Sequence, residues 1–283
     1  MLKLAIPHER AHIEKCLRYI QAAGVDFPAK NDFKALISNK FPVEVRQMGI
    51  EEIIASILGE MQDVGVVMQH QILENSVNVK KVHSFTACKK NVTLFIPNEL
   101  RYKSIESLTG KRIATPFPNI VSAFLRGKNI KASIVPVKAN VMYATEIGLA
   151  DAVCTVVDAE NATFCPQLRE IEVVMQTFPV IVASENLSAQ KQIILDDLVE
   201  KIVSVQNAEH KKMIYIYAPI YKKDAVYKAL EQSETSVIEL PAGDKTVFQC
   251  LMDEKLFWDI KNHLQIIGVE NMLVMPVENI LKD

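Results

Sequence analysis

The 283-residue chain lacks the features that mark several large classes of protein. Its formal net charge is only −2, so we expect no strongly basic surface of the kind that binds nucleic acid. No apolar run approaches the roughly 20 residues that span a membrane. The segment before Pro7 is too short for a signal peptide. We therefore expect a cytoplasmic protein that binds neither nucleic acid nor membrane.

Cysteine and histidine are few, and several well-known motifs are missing. The five cysteines stand alone and form no C-x-x-C pair, which fits reduced thiols. The six histidines are spread along the chain, and we expect no transition-metal site made of protein ligands alone. There is also no Walker loop, no G-x-G-x-x-G turn and no recognisable Ser/His/Asp set. Composition and spacing alone therefore do not identify a reaction.

Apolar patterns in the first 90 residues alternate between strand and helix. Residues 2–7 alternate as a strand does, and residues 13–20 have helical spacing that ends before Gly24. A strand from Val43, a helix over 50–61 and a short buried strand over 64–68 follow. This β-α-β-α-β order predicts a parallel sheet with helices on its faces.

A second α/β lobe is predicted over 91–164. Strands are expected at 92–96, 110–115, 132–137 and 151–157, and helices at 118–126 and 140–147. Residues 165–187 then carry the chain back, so lobe I comprises 1–90 and 165–187. Two α/β lobes joined by crossing strands resemble the type II periplasmic-binding-protein arrangement, in which a ligand cleft lies between the lobes.

The rest of the chain reads as a connecting helix and a small domain. Residues 188–210 contain a long amphipathic helix, for which Ser188 is a suitable N-cap. Residues 211–283 follow a β-α-β-β-α-β order, which is typical of a ferredoxin-like domain. The predicted fold class is therefore α/β, with a two-lobed region followed by a ferredoxin-like domain.

One loop is the first place to look for a ligand. Residues 151–157 read as a buried strand, 158–163 as a polar turn and 168–174 as a second strand. Open α/β sheets bind ligands in the loops at the carboxyl ends of their strands. If the substrate is phosphorylated, this turn is the leading candidate for its site.

Two other groups of polar residues permit either a functional or a structural interpretation. Lys111, Arg112 and Thr115 could offer a basic pair and a hydroxyl to a phosphate, or form an exposed turn before a strand. Glu51 and Glu52 could bind Mg²⁺, or complement the dipole of a helix from its first turn.

Several stretches together resemble the ATP phosphoribosyltransferase family, in its long form with a regulatory domain. Residues 110–118 (GKRIATPFP) are similar to the family's G-K-x-I-A-T-S-Y-P. Residues 148–153 (GLADAV) and 168–174 (LREIEVV) bracket its phosphoribosyl-binding loop. The second strand and the C-terminal signature resemble residues 41–45 (FPVEV), 255–258 (KLFW) and 272–278 (MLVMPVE).

The resemblance implies a reaction, a cofactor and partners. Members transfer phosphoribose from phosphoribosyl pyrophosphate (PRPP) to N1 of ATP and release pyrophosphate, the first step of histidine biosynthesis. It implies Mg²⁺ as cofactor, ATP and PRPP as substrates, and histidine as a feedback effector of the C-terminal domain. It also implies a homo-oligomer, either a dimer or a hexamer.

The loop departs from the family pattern at its ligand positions. The family's D-x-V-x-T-G-x-T-L falls on residues 155–163, where Thr155 replaces the acid and Glu160 replaces the glycine. The resemblance assigns to PRPP the loop positions Thr155, Asp158, Ala159, Glu160, Asn161, Ala162 and Thr163. Further substrate candidates are Arg10, Asp63, Lys111, Arg112 and Thr115.

These departures leave more than one hypothesis about function. The first is an active ATP phosphoribosyltransferase. The second is a catalytically impaired paralogue that acts as a regulatory or metabolite-binding subunit, because a carboxylate at Glu160 would repel phosphate and its Cβ would obstruct the approach that glycine permits. A third is an altered transferase or binding protein that uses the same cleft for another ligand.

Overall fold

A computed structural model describes residues 1–9, 13–29, 34–158, 165–231, 237–269 and 271–281. The chain divides into two compact units, Met1–Leu195 and Asp196–Asp283. The first unit contains a six-stranded and a five-stranded sheet, and the second contains a four-stranded sheet. The predicted α/β fold class is confirmed.

Lobe I is built on the six-stranded sheet, whose order is β2-β3-β1-β4-β11-β5. Its strands are β1 (Leu2–Pro7), β2 (Leu36–Ile37), β3 (Val43–Met48), β4 (Val64–Met68), β5 (Lys80–Ser84) and β11 (Pro179–Ala183). Its helices are α1 (Glu14–Ala22), α2 (Ile50–Leu58) and α3 (Gln69–Glu74). Strands β3, β1 and β4 are parallel, as predicted, whereas β11 and β5 run antiparallel to their neighbours. Every residue of β4 is buried, as its continuous apolar sequence requires in the middle of a sheet.

Lobe II is built on the five-stranded sheet, whose order is β10-β6-β9-β7-β8. Its elements are β6 (Lys90–Pro97), β7 (Arg112–Thr115), α4 (Pro118–Gly127), β8 (Ser133–Pro136), β9 (Ala152–Asp158) and β10 (Leu168–Thr177). Strand β10 pairs with β6 over its whole length. The predicted lobe boundary at 165 therefore differs from the structure, because the chain rejoins the sheet of lobe I only at Pro179.

The predicted helix over 140–147 is wrong. The structure has a single 3₁₀ turn, Val141–Tyr143, followed by irregular turns. Asn140 adopts a left-handed backbone with φ 54°, and the side chains of Tyr143 and Ile147 are exposed. The apolar residues of this segment therefore do not form the continuous buried stripe that a packed helix needs.

The second unit has the predicted β-α-β-β-α-β order. Helix α5 (Ala189–Ala208) leads into β12 (Lys211–Pro219), α6 (Lys223–Glu231), β13 (Val237–Ala242), β14 (Lys245–Asp253), α7 (Glu254–Ile267) and β15 (Asn271–Pro276). The sheet order β13-β14-β12-β15 is antiparallel throughout and is that of a ferredoxin-like domain. Gly268 ends α7 with φ 102°, a conformation that favours glycine. Across the described parts of the chain, no helix has the length and apolar character needed to cross a membrane.

None of the five cysteines, all of which lie in the described part of the chain, forms a disulfide. Cys16, Cys88, Cys154 and Cys250 are buried, and only Cys165 is partly exposed. Burial raises the pKa of Cys154 far above its usual range and that of Cys250 to about 11. These buried thiols therefore stay protonated at neutral pH.

Candidate functional site

The candidate site lies where the carboxyl edges of the two sheets of the first unit meet. Parallel strands β1, β3 and β4 end at this edge in lobe I, and β7, β8 and β9 end at it in lobe II. Glu51, in the first turn after β3, pairs with Lys138, which follows β8, at 3.2 Å. Both side chains are largely exposed, so this pair adds little stability. It shows that the two edges face each other, as a ligand cleft requires.

A second contact between the lobes is made by Glu74, at the end of α3. Its Oε1 accepts a hydrogen bond from the backbone N–H of Asn119 and its Oε2 accepts one from that of Ile120, both at 3.0 Å. Its backbone carbonyl accepts a third, from Asn119 Nδ2 at 2.9 Å. The first amides of a helix have no acceptor within the helix, and its amino end attracts negative charge. Lobe I thus supplies the N-terminal cap of α4 in lobe II.

A buried histidine lies close to the same corner of the unit. The backbone N–H of His70 donates to Thr177 Oγ1 at 3.1 Å, and its Nδ1 lies 3.1 Å from the same oxygen. Its ring also meets that of Phe117 edge to face, with centroids 4.7 Å apart. Thr177 ends β10, just before the chain crosses back to lobe I. These contacts fix the crossing against both lobes.

The structure separates the three candidates of the 110–118 stretch. Lys111 and Arg112 lie at the amino end of β7, whereas Thr115 lies at its carboxyl end. Arg112 donates its backbone N–H to Asp151 Oδ2 at 2.8 Å. This hydrogen bond lowers the pKa of the Asp151 carboxyl most, and the hydrogen bond from the guanidinium group of Arg112 lowers it further. Arg112 therefore holds the turn before β9.

Of those three residues, Thr115 alone lies at the edge of the candidate cleft. It is fully buried, and its Oγ1 accepts a hydrogen bond from the backbone N–H of Phe117 at 3.0 Å. Its hydroxyl therefore shapes the turn that leads into α4.

Asp63 lies at the amino end of β4, on the opposite edge of the sheet from the cleft. Its Oδ2 accepts a hydrogen bond from the backbone N–H of Lys3 at 2.8 Å, and its Oδ1 lies 2.8 Å from Lys191 Nζ. Both carboxylate oxygens are thus engaged within the first unit. Asp63 therefore has a structural role, because its carboxylate links the start of β1 to the start of α5.

We expect Asp63→Asn to lower the free energy of unfolding by about 1–2 kcal/mol, because it weakens a partly buried, hydrogen-bonded ion pair. The Asp63 side chain is only 10% exposed, whereas that of Lys191 is 33% exposed, which keeps the effect below that of a fully buried pair. Urea unfolding would measure it. Asp197→Asn, which breaks the exposed Lys201–Asp197 pair, is the matched control and should change stability by less than about 0.5 kcal/mol. Equal effects of the two substitutions would contradict the assigned role.

Much of the predicted PRPP loop lies outside the described residues. This applies to Ala159, Glu160, Asn161, Ala162 and Thr163, and also to Arg10. Asp158 is the last residue of β9. Thr155 lies within β9, directly opposite Thr93 of β6. The assignment of these positions to PRPP stays a prediction.

One pattern escaped the sequence prediction. Residues 8–12 (HERAH) match H-E-x-x-H, which binds zinc when both histidines lie on one helix. His8 and Glu9 lie in non-helical backbone after β1, and residues 10–12 are outside the described part. In the described part of the chain, no three His, Cys, Asp or Glu side chains are grouped to hold a metal ion.

Comparisons with known proteins point to one family. The family profile described as ATP phosphoribosyltransferase matches residues 50–204. The ATP phosphoribosyltransferase of Parabacteroides distasonis is 32% identical over 282 residues, which cover 99% of this chain and 100% of that protein. That of Cytophaga hutchinsonii is 31% identical over 284 residues, 100% of this chain and 99% of that protein.

A solved structure agrees with the fold. A chain of the ATP phosphoribosyl transferase (HisG:HisZ) complex from Thermotoga maritima superimposes with a TM-score of 0.57 at 21% identity. The superposition covers 72% of this chain and 96% of that one. At this identity the likeness bears on the fold alone.

Proposed function

This chain belongs to the ATP phosphoribosyltransferase family, and we propose that it transfers the phosphoribosyl group of PRPP to ATP, the first step of histidine biosynthesis. The observation that carries the proposal is the similarity to transferases along the whole chain, including the C-terminal unit. N1 of ATP forms a bond to the anomeric carbon of PRPP while the bond from that carbon to pyrophosphate breaks.

The geometry of the first unit supports a reaction of this kind. Two facing sheet edges can hold two substrates in line, and such positioning lowers the barrier of a bimolecular transfer. The contacts of Glu74 with α4 and of His70 with Thr177 fix one lobe relative to the other. Backbone N–H groups and basic side chains at such edges stabilise the charge of a leaving pyrophosphate.

Magnesium fits this proposal as part of the substrates. Mg²⁺ keeps several waters and binds through substrate phosphates and one or two carboxylates. It therefore does not need the group of three ligating side chains that is absent from the described residues. We propose that it enters with PRPP or ATP and neutralises charge on the pyrophosphate.

The remaining expectations belong to the same proposal. Histidine as an effector of the C-terminal unit and a homo-oligomeric state follow from the resemblance, and a cytoplasmic location from the composition and the unpaired cysteines. The βαββαβ topology of the second unit supports a separate regulatory domain. Nothing in the relatives or in the described part of the chain favours the catalytically impaired paralogue.

We expect purified protein to release pyrophosphate when it is given ATP, PRPP and Mg²⁺ together. A coupled pyrophosphatase assay would measure the release. Omission of ATP, omission of PRPP and chelation of Mg²⁺ should each abolish it. Folded protein that releases no pyrophosphate with all three present would contradict the transferase proposal and support the catalytically impaired paralogue.

A further inference from the structure

Two buried cysteines of lobe I lie at the segment that joins the two lobes. Cys16 belongs to the first turn of α1, and Cys88 lies in residues 85–89, which carry the chain from β5 to β6. Strand β5 runs parallel to β4 and therefore ends at the cleft edge. Helix α1 begins near the same edge, because it follows β1. Two thiols that are far apart in sequence thus come to the same end of the lobe.

Aromatic packing brings the two segments together. The rings of Tyr19 and Phe85 are parallel, with centroids 6.2 Å apart. Cys16 and Tyr19 are three residues apart in α1 and therefore share one face of the helix. Cys88 closes the turn that starts at Phe85, since its backbone N–H donates to the Phe85 carbonyl at 2.9 Å. Each cysteine is therefore one turn of chain away from a member of the stacked pair.

The two thiols interact in a place that solvent hardly reaches. Cys16 is 0% exposed and Cys88 is 7% exposed. Burial raises the pKa of the Cys16 thiol well above its usual range, and the neighbouring Cys88 raises it further. The charge of one thiol is thus felt by the other. Such a pair stays reduced under reducing conditions, since a protonated thiol reacts slowly, and it can form a bond once one sulfur is oxidised.

We propose that Cys16 and Cys88 are a site of oxidative modification, at which a peroxide converts the two thiols into a disulfide. Cys88 reacts first, because it is the more exposed of the two. Its sulfur takes one oxygen from hydrogen peroxide to give a sulfenic acid, and one water leaves. The Cys16 sulfur then attacks that sulfur, loses its proton and displaces a second water as the S–S bond forms. The two electrons that the thiols lose are gained by the peroxide.

The disulfide ties α1 to the first crossing between the lobes. That crossing also contacts the second one, since the backbone N–H of Phe85 donates to the carbonyl of Pro179 at 2.9 Å. Segments that join lobes absorb the backbone changes when a cleft opens and closes. The bond therefore restricts the movement of the lobes and slows turnover. This effect on rate rests on the proposed function, whereas the formation of the bond does not.

Hydrogen peroxide treatment of the folded, full-length chain tests the proposal. Cys165→Ser is the background, because Cys165 is partly exposed and the other cysteines are buried. After peroxide, alkylation in denaturant should modify Cys154 and Cys250 but neither Cys16 nor Cys88. Mass spectrometry should find the peptides of the last two joined, with the loss of two hydrogens, and dithiothreitol should separate them. The oxidised protein should unfold at a higher temperature, since a cross-link restricts the unfolded chain.

The rate of pyrophosphate release tests the consequence of the bond. Cys16→Ala in the same background prevents the bridge, and Cys250→Ala, which removes a buried thiol of the second unit, is its matched control. Peroxide should lower the rate by about tenfold in the background and in the control, because it misplaces the lobes, and dithiothreitol should restore it. The rate of the Cys16→Ala protein should stay at its untreated value.

The chemical and kinetic readouts separate this proposal from the proposed function. Joined peptides in a protein that releases no pyrophosphate before peroxide contradict the transferase and support the modification site. Thiols that all stay open to alkylation in a protein that turns over overturn the site alone. A bridge that forms without loss of rate overturns the restriction of lobe movement. An equal loss of rate in Cys16→Ala shows that peroxide acts elsewhere and overturns it as well.

Discussion

Gly65→Ala is expected to lower the free energy of unfolding of the first unit by about 3 kcal/mol, the upper end of the range for an overpacked core. A Cβ at this position would lie 2.5 Å from Ile53 Cγ2 and 3.5 Å from Ile57 Cγ1. Both isoleucines belong to α2 and are buried in the core of lobe I, so they have little room to move. Gly65 also lies in β4, between β1 and β11, where both neighbouring strands restrict the backbone.

Urea unfolding, followed through the transition of the first unit, would measure the loss. Gly127→Ala is the matched control in the same unit. Gly127 is the last residue of α4, and no described atom lies within 4 Å of the Cβ it would gain. The urea midpoint of the Gly127→Ala protein should not fall below that of the wild type. A midpoint for Gly65→Ala that equals that of the control would show that α2 and β4 are not packed as described.

Glu74→Ala is expected to lower both stability and turnover. It removes the carboxylate that caps α4, which costs about 1–2 kcal/mol at a helix N-terminus. We also expect kcat to fall by at least about tenfold, because the cap comes from the other lobe and small misplacements across a cleft are costly in rate. The loss of rate should therefore be larger than the loss of stability alone explains.

The measurements are urea unfolding and the rate of pyrophosphate release, the second under conditions in which the variant stays folded. Glu99→Ala is the control, since this exposed glutamate lies in the loop after β6. It should leave both quantities unchanged. A Glu74→Ala protein with normal kcat would mean that the contact between α3 and α4 does not set the geometry of the cleft.

The sequence predicts those elements whose signal is local. Strand β4 is a continuous apolar run. Helix α7 ends at Gly268, which adopts the left-handed backbone that commonly ends a helix. Strand β5 was missed because residues 80–84 (KKVHS) are largely polar, and the strand forms by pairing with β11, about a hundred residues later. The pairing of β10 with β6 is equally non-local.

The candidate site divides in the same way. Its position at the carboxyl edge of the sheets follows from strand order. Thr115, the last residue of β7, lies at that edge, whereas Lys111 and Arg112, which were grouped with it, lie at the other. The roles of single side chains depend on partners far away along the chain. Arg112 meets Asp151, Asp63 meets Lys191, and Glu74 meets Asn119. Such pairs leave no local sequence pattern, because any surface glutamate or arginine looks the same before the chain folds.

The uneven burial of the cysteines gives the protein a natural attachment point for a spectroscopic probe. A maleimide reacts with exposed thiolates, and four of the five thiols are buried. Cys165, which is partly exposed, lies three residues before β10, whose first residue, Leu168, pairs with Pro97 at the end of the lobe II sheet far from the cleft. A fluorophore attached there, with no engineered cysteine, lies at the end of the lobe II sheet opposite the cleft, so it labels this lobe without obstructing the candidate site.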